Sequence, residues 1–155
     1  MNDEFYMRLA LNEAWKRQIL TYPNPSVGAA LLDRYDRLVA VAAHEKAGAP
    51  HAEINAFYDA FCDLCADKAA LARLRALKTS GEICDFLREN HGGLFDGATL
   101  FVTLEPCANA DKTPACAPLI ADLGVKKVVI GSDDPNPKMA GGGEYLRDRG
   151  VAVVR

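Results

Sequence analysis

The chain has 155 residues, 50% of them hydrophobic, which suffices for one packed domain and falls short of two. Its 18 basic and 21 acidic residues leave a net charge of −3, without the basic excess that a nucleic-acid groove requires. No apolar run reaches the roughly 18 residues of a membrane span and no charged-then-apolar leader is present, so the expectation is a cytoplasmic protein with no membrane partner.

The five cysteines, at 62, 65, 84, 107 and 116, form no even disulfide framework and suit metal ligation or core packing instead. Residues 3–20 carry an amphipathic helix pattern. Asn2 or Asp3 can cap it, Glu4 suits its positive end, and Met7, Leu11 and Ala14 share a stripe, with Tyr6 and Trp15 read as packing residues. The helix should end before Thr21-Tyr22-Pro23-Asn24-Pro25, because a residue preceding proline is pushed out of helical geometry. A loop so stiff can hold the Asn24 amide in one orientation. Residues 27–32 and 38–43 read as a hairpin around the polar turn 33–37. His44 follows, and a second helix starts at His51 or Ala52 and runs towards Cys65.

Residues 66–78 have a helix-forming composition, and Thr79-Ser80-Gly81-Glu82 reads as a break followed by a capped helix to about residue 90. Lys68, Arg73, Arg75 and Lys78 are taken as a solvated face. Cys62 and Cys65 have metal-site spacing but lie in a helical pattern without a second ligand pair, so they and Cys84 are assigned to packing. Residues 98–103 are apolar and β-prone, a central strand that delivers Glu105-Pro106-Cys107 at its C-terminal end. Cys116 opens a helix to about 123, 127–131 is a strand, and 133–137 is a rigid polar loop. Gly141-Gly142-Gly143 is read as a lid or a permissive turn, followed by a helix at 144–149 and a strand at 151–154. This order predicts a three-layer α/β/α sandwich with a five-stranded mixed sheet and helices on both faces.

The chemistry concentrates in His51-Ala52-Glu53 and in the 103–116 stretch. One imidazole, His51, and two thiols, Cys107 and Cys116, can hold Zn²⁺ with a fourth position open to water. Only Ala52 separates His51 from Glu53, so at a helix start the ring and the carboxylate can converge, with Glu53 unattached and able to move protons. Pro106 stiffens the backbone that presents Cys107. A closed structural zinc site would leave Glu53 unexplained and would need a fourth ligand that the sequence does not offer.

These residues resemble the deaminase domain of the bifunctional riboflavin-biosynthesis proteins, within the cytidine deaminase-like superfamily. The resemblance rests on Thr21-Tyr22-Pro23-Asn24-Pro25-Ser26-Val27-Gly28, His44 with Ala47-Gly48, His51-Ala52-Glu53, Thr103-Leu104-Glu105-Pro106-Cys107, Lys112-Thr113-Pro114-Ala115-Cys116 and Asp134-Pro135-Asn136-Pro137. It covers nearly the whole chain as a single deaminase domain over 1–155, except 62–95, which reads as a helical insertion. The eight residues between Cys107 and Cys116 set it apart from superfamily members that place the two thiols two residues apart.

The resemblance implies zinc-dependent hydrolytic deamination of 2,5-diamino-6-ribosylamino-4(3H)-pyrimidinone 5′-phosphate. It implies zinc on His51, Cys107 and Cys116, Glu53 as proton shuttle, and substrate contacts from Asn24, His44, Asn109, Lys112, Asp134 and Asn136. It also implies a small-molecule substrate rather than nucleic acid, and a homo-oligomer of two or more copies. Asn109 and Asp111 depart from the family pattern of His and Gly at these positions, and Asp111 sets a negative charge beside Lys112. No reductase domain is expected within the chain. The competing readings are a zinc deaminase of another base or nucleotide, of cytosine or guanine type, and a zinc-binding module without catalysis.

Overall fold

The computed structural model describes residues 2–155. Helix α1 (Asp3–Trp15) is capped by the Asn2 side chain, which accepts from the Phe5 N–H, and Asp3 and Glu4 lie in its first turn. It stops well before residue 20. Arg17 and Gln18 bond back three residues in tight turns, and Ile19 takes a positive φ of 78°, where a helix cannot continue.

Strands β1 (Gly28–Leu32) and β2 (Leu38–Ala43) form the expected hairpin. Its turn is organised by Asp33, whose Oδ1 accepts from the Tyr35 and Arg37 N–H groups while Oδ2 accepts from Arg37 Nε. Strands β3 (Thr99–Val102), β4 (Lys127–Ile130) and β5 (Ala152–Val154) complete a five-stranded sheet in the order β2-β1-β3-β4-β5. The first two junctions are antiparallel and the last two parallel. The predicted five-stranded mixed sheet is therefore present.

Alternation along the strands divides the core. Ala30, Leu32, Phe101 and Val129 meet α1 through Ala10, Tyr6 and Met7. The opposite-facing Ala29, Leu31, Leu100, Val102, Val128 and Ile130 belong to a larger core. That core is covered by α2 (Ala52–Leu64), α3 (Lys68–Ala76), α4 (Ser80–Asn90), α5 (Cys116–Asp122) and α6 (Gly142–Asp148), which contribute among others Phe57, Leu74, Leu87, Ile120 and Leu146. Helices do lie on both faces, but one stands against five.

The seating of α1 explains a misplaced stripe. A Cβ on Gly28 would stand 1.8 Å from the Ala10 carbonyl oxygen, so helix and strand touch backbone to backbone. That contact turns Ala10 and Ala14 inward and leaves Leu11 and Trp15, expected inside, 46% and 60% exposed. Asp67 caps α3, and Thr79 with Glu82 forms a capping box on α4. Lys68, Arg73, Arg75 and Lys78 are exposed, and Cys84 is buried, as expected. The glycine run starts α6 two residues earlier than the pattern suggested. A Cβ on Gly142 would lie 1.7 Å from the Pro106 carbonyl oxygen, so this glycine packs α6 against the segment presenting Cys107. No helix among the described residues is long and apolar enough to cross a membrane.

Candidate active site

The parallel strands β3 and β4 release their chains at the same end of the sheet, where the N-termini of α2 and α5 also lie beside them. His51 is the N-cap residue of α2 and makes no side-chain capping bond, which leaves its ring free to turn inward. Cys107 follows β3, and Cys116 is the first residue of α5. The Cys116 backbone N–H donates to Cys107 Sγ at 3.2 Å, and the Ala117 N–H to the Cys107 carbonyl at 3.1 Å, so the helix start holds the first thiol. His51 Nδ1 lies 3.8 Å from Cys107 Sγ and 3.4 Å from Cys116 Sγ. The ligand atoms of these three residues all fall within 4.8 Å of one another, and no fourth His, Cys, Asp or Glu joins the group among the described residues. The other ring nitrogen, Nε2, is 3.0 Å from Thr113 Oγ1.

Beside the trio, Glu53 in the first turn of α2 is 4% exposed and faces a cleft of about 230 Å³. Asn24, His44, Lys112, Asp134 and Asn136 line the same cleft. The buried His44 ring has both nitrogens engaged: Nδ1 contacts the Pro50 carbonyl at 3.0 Å and Nε2 the Asn24 amide nitrogen at 3.3 Å. A carbonyl only accepts, so Nδ1 carries the hydrogen and Nε2 accepts from Asn24. Asn109 is not among the cleft residues. It is exposed, and its side-chain amide donates to the Lys138 carbonyl at 2.8 Å, stitching the inter-cysteine loop to the 136–140 segment. Ala108 N–H adds a second stitch to the Met139 carbonyl.

Two residues that sequence reasoning passed over are built into the site. One is Thr113. The other is Glu105, 6% exposed, which accepts from the Gly143 N–H at 2.9 Å, the Asp134 N–H at 3.3 Å and Arg155 Nη2 at 3.3 Å. It fastens the loop after β4 and the start of α6 to the backbone that carries Cys107. The signal was present in the sequence: an acidic residue three positions beyond a buried apolar strand has to find donors.

The electrostatics of the trio ask for a cation. The hydrogen bond from Cys116 and, against the cost of burial, the bond and charge of His51 draw the Cys107 thiol down to about 5. The same hydrogen bond, together with burial, pushes Cys116 far up, so without a cation the two thiols share a single negative charge. The Cys107 partner raises His51 against its burial. Burial pushes Glu53 up to about 7, partly opposed by His51. Burial also lowers His44, which stays neutral at physiological pH. Two buried thiols, a free imidazole nitrogen and a protonatable carboxylate beside them fit Zn²⁺, whose charge would allow both thiols to ionise.

Comparison with known proteins agrees with this geometry. Residues 1–132 match the family described as the cytidine and deoxycytidylate deaminase zinc-binding region. The chain is 40% identical over 152 residues to the riboflavin biosynthesis protein RibD of Aquifex aeolicus, covering 97% of this chain and 34% of that one. It is 35% identical over 154 residues to the diaminohydroxyphosphoribosylamino-pyrimidine deaminase of Buchnera aphidicola subsp. Schizaphis graminum, covering 99% of this chain and 83% of that one. Among solved structures it resembles the Thermotoga maritima diaminohydroxyphosphoribosylaminopyrimidine deaminase/5-amino-6-(5-phosphoribosylamino)uracil reductase, with a TM-score of 0.74 and 36% identity, covering 98% of this chain and 35% of that one. The chain thus spans about a third of the length of the RibD relatives. With a zinc-type donor set at the end of a matching sheet, and likeness running along almost its whole length, the chain belongs to the cytidine and deoxycytidylate deaminase zinc-binding family, among the diaminohydroxyphosphoribosylaminopyrimidine deaminases.

Proposed function

We propose that this chain hydrolytically deaminates 2,5-diamino-6-ribosylamino-4(3H)-pyrimidinone 5′-phosphate in riboflavin biosynthesis, with residues 1–155 acting as one deaminase unit. One observation carries the reading: the buried Glu53 carboxyl stands beside the His51, Cys107 and Cys116 donors in a cleft lined by polar groups suited to a phosphorylated nucleoside-like ligand. The names of the relatives give the substrate class its support.

In this reading His51 through Nδ1, Cys107 and Cys116 hold zinc, which when bound supplies a Lewis acid that makes water nucleophilic near neutral pH. Glu53 takes one proton from the attacking water and gives it to the ring nitrogen, then takes the second from the hydroxyl newly attached to the carbon and gives it to the departing amine, which leaves as ammonia. Its buried carboxyl, near 7, is poised to do both. Asn24, oriented by His44, presents its remaining amide groups to the pyrimidine. Asp134 Oδ1 accepts from the Asn136 N–H, and Asn136 Oδ1 from the Lys138 N–H, so the loop is preorganised with Asp134 Oδ2 and Asn136 Nδ2 left for the ligand. Lys112 supplies a cation for the phosphate, attenuated by its neighbour Asp111. Asn109 shapes this loop from outside the cleft. A homo-oligomer of two or more copies belongs to the same reading, and sedimentation would report it.

The test is ammonia release by the zinc-loaded chain from the diaminopyrimidine ribosylamino phosphate, with cytidine, deoxycytidylate and guanine alongside. Turnover confined to the first compound is expected. Turnover of another compound instead would overturn the substrate assignment, and silence on all four with zinc bound would overturn the deaminase reading.

A further inference from the structure

We infer that Thr113 is a positioning residue of the metal centre: its hydroxyl oxygen accepts the His51 Nε2 hydrogen and so presents the Nδ1 lone pair to zinc. The inference deepens the proposed function and rests on its assignment of His51 as a ligand.

The geometry is specific. His51 Nδ1 is the nitrogen that faces both thiols, at 3.8 and 3.4 Å, while Nε2 points away to Thr113 Oγ1 at 3.0 Å. A neutral imidazole carries one hydrogen, and the nitrogen that binds a metal must not carry it. An oxygen that accepts from Nε2 therefore selects the ligating tautomer and also fixes the ring plane, the service that outer groups render to histidine ligands in metal sites. Among the described residues no other polar side chain bonds His51 Nε2, and the neighbouring aromatic ring, His44, meets it edge-on at 5.5 Å without a bond between their nitrogens.

The chain around Thr113 is built to keep it there. Pro114 restricts Thr113 to extended backbone. The Asp111 N–H donates to the Thr113 carbonyl at 3.1 Å, closing a tight turn, and the Asn109 and Ala108 bonds anchor the loop behind it. The eight residues between Cys107 and Cys116 thus let the chain leave the first thiol, turn, lay a hydroxyl on the far side of the histidine ring, and return to the second thiol. Asn109 and Asp111, the two departures from the family pattern, lie at the anchored side and the turn of this loop, where they shape the support of His51 rather than meet the metal.

The experiment measures zinc affinity of the full chain at neutral pH by competition with a chromophoric chelator, for the parent, Thr113→Val and Thr113→Ser. Val keeps the shape and removes the acceptor, whereas Ser restores it. Thr113→Val should bind zinc about 10–100-fold more weakly, and Thr113→Ser should return close to the parent. Equal affinity of Thr113→Val and the parent overturns the inference, as does a Ser variant as weak as Val. A parent that binds no zinc overturns instead the ligand assignment beneath it. Independently of any variant, long-range ¹H–¹⁵N spectra of the zinc-loaded parent should show the His51 hydrogen on Nε2, and a hydrogen on Nδ1 would refute the proposal.

Discussion

Glu105 tests whether the cleft is held together by one buried carboxylate. Its oxygens receive two backbone N–H groups, from Gly143 and Asp134, and the Arg155 guanidinium, at 2.9, 3.3 and 3.3 Å. Replacement by Ala leaves the buried Gly143 N–H without an acceptor, a cost of about 1–3 kcal/mol. It also removes charge-assisted bonds to Asp134 and Arg155, the latter discounted because that guanidinium is partly solvated. Together these set the expected destabilisation at about 3 kcal/mol. With a urea slope of about 2 kcal/mol/M, the unfolding midpoint falls by about 1.5 M. Glu105→Gln keeps one acceptor and turns an NH₂ towards a donor, so it should lie between Ala and the parent. Because the Asp134 bond positions the cleft loop, the KM of the proposed substrate should rise in both variants. An Ala variant that unfolds within about 0.5 kcal/mol of the parent would refute the idea that Glu105 carries these donors.

Glu53→Gln should lower turnover about 10²–10⁴-fold with zinc content unchanged, read by ammonia release and metal analysis; loss of zinc would point to a ligand role instead. Gly28→Ala forces a Cβ to 1.8 Å from the Ala10 carbonyl oxygen, so α1 must move off the sheet, and thermal unfolding should show a loss of about 3 kcal/mol. Asp33 lies below its ordinary value of 3.8 because bonds from Arg37 and Tyr35 outweigh the upward push of burial. A depressed carboxylate stabilises the fold above its unfolded value and loses that contribution as pH falls through the folded one. Asp33→Asn should therefore cost about 1 kcal/mol near neutral pH, a difference that shrinks in denaturation series below about pH 4; an equal cost at all pH values would refute the ionic contribution.

Much of this protein is local enough to read directly. The 27–43 hairpin follows from alternation and a turn whose Asp33 bonds its own backbone. The capped start of α1 at Asn2 and the strand leading into Cys107 follow from similarly short-range rules, whereas α1 ends at Trp15, well ahead of the prolines expected to stop it. Helix α1 shows the limit. Its apolar residues include Leu11 and Trp15, yet these are exposed, since which face of a helix is buried depends on what it meets. Here it meets Gly28, a glycine that reads locally as an ordinary strand residue. The glycine triplet gives the same lesson: only the Pro106 carbonyl lying against Gly142 makes it a packed helix start.

The sequence by itself determined which donor groups the chain can offer, because residue type and spacing decide it: an imidazole two residues from a carboxylate, and two thiols separated by eight residues, each with a proline within two positions. It also determined the layered α/β class, through the order of its periodic segments. The tertiary structure alone decided how the groups cooperate. It put His44 behind Asn24, turned Asn109 out of the cleft, set Glu105 beneath two loops and laid Thr113 on the far nitrogen of His51. Those pairings join residues distant along the chain, so their geometry arises only when the sheet and its helices close around one another.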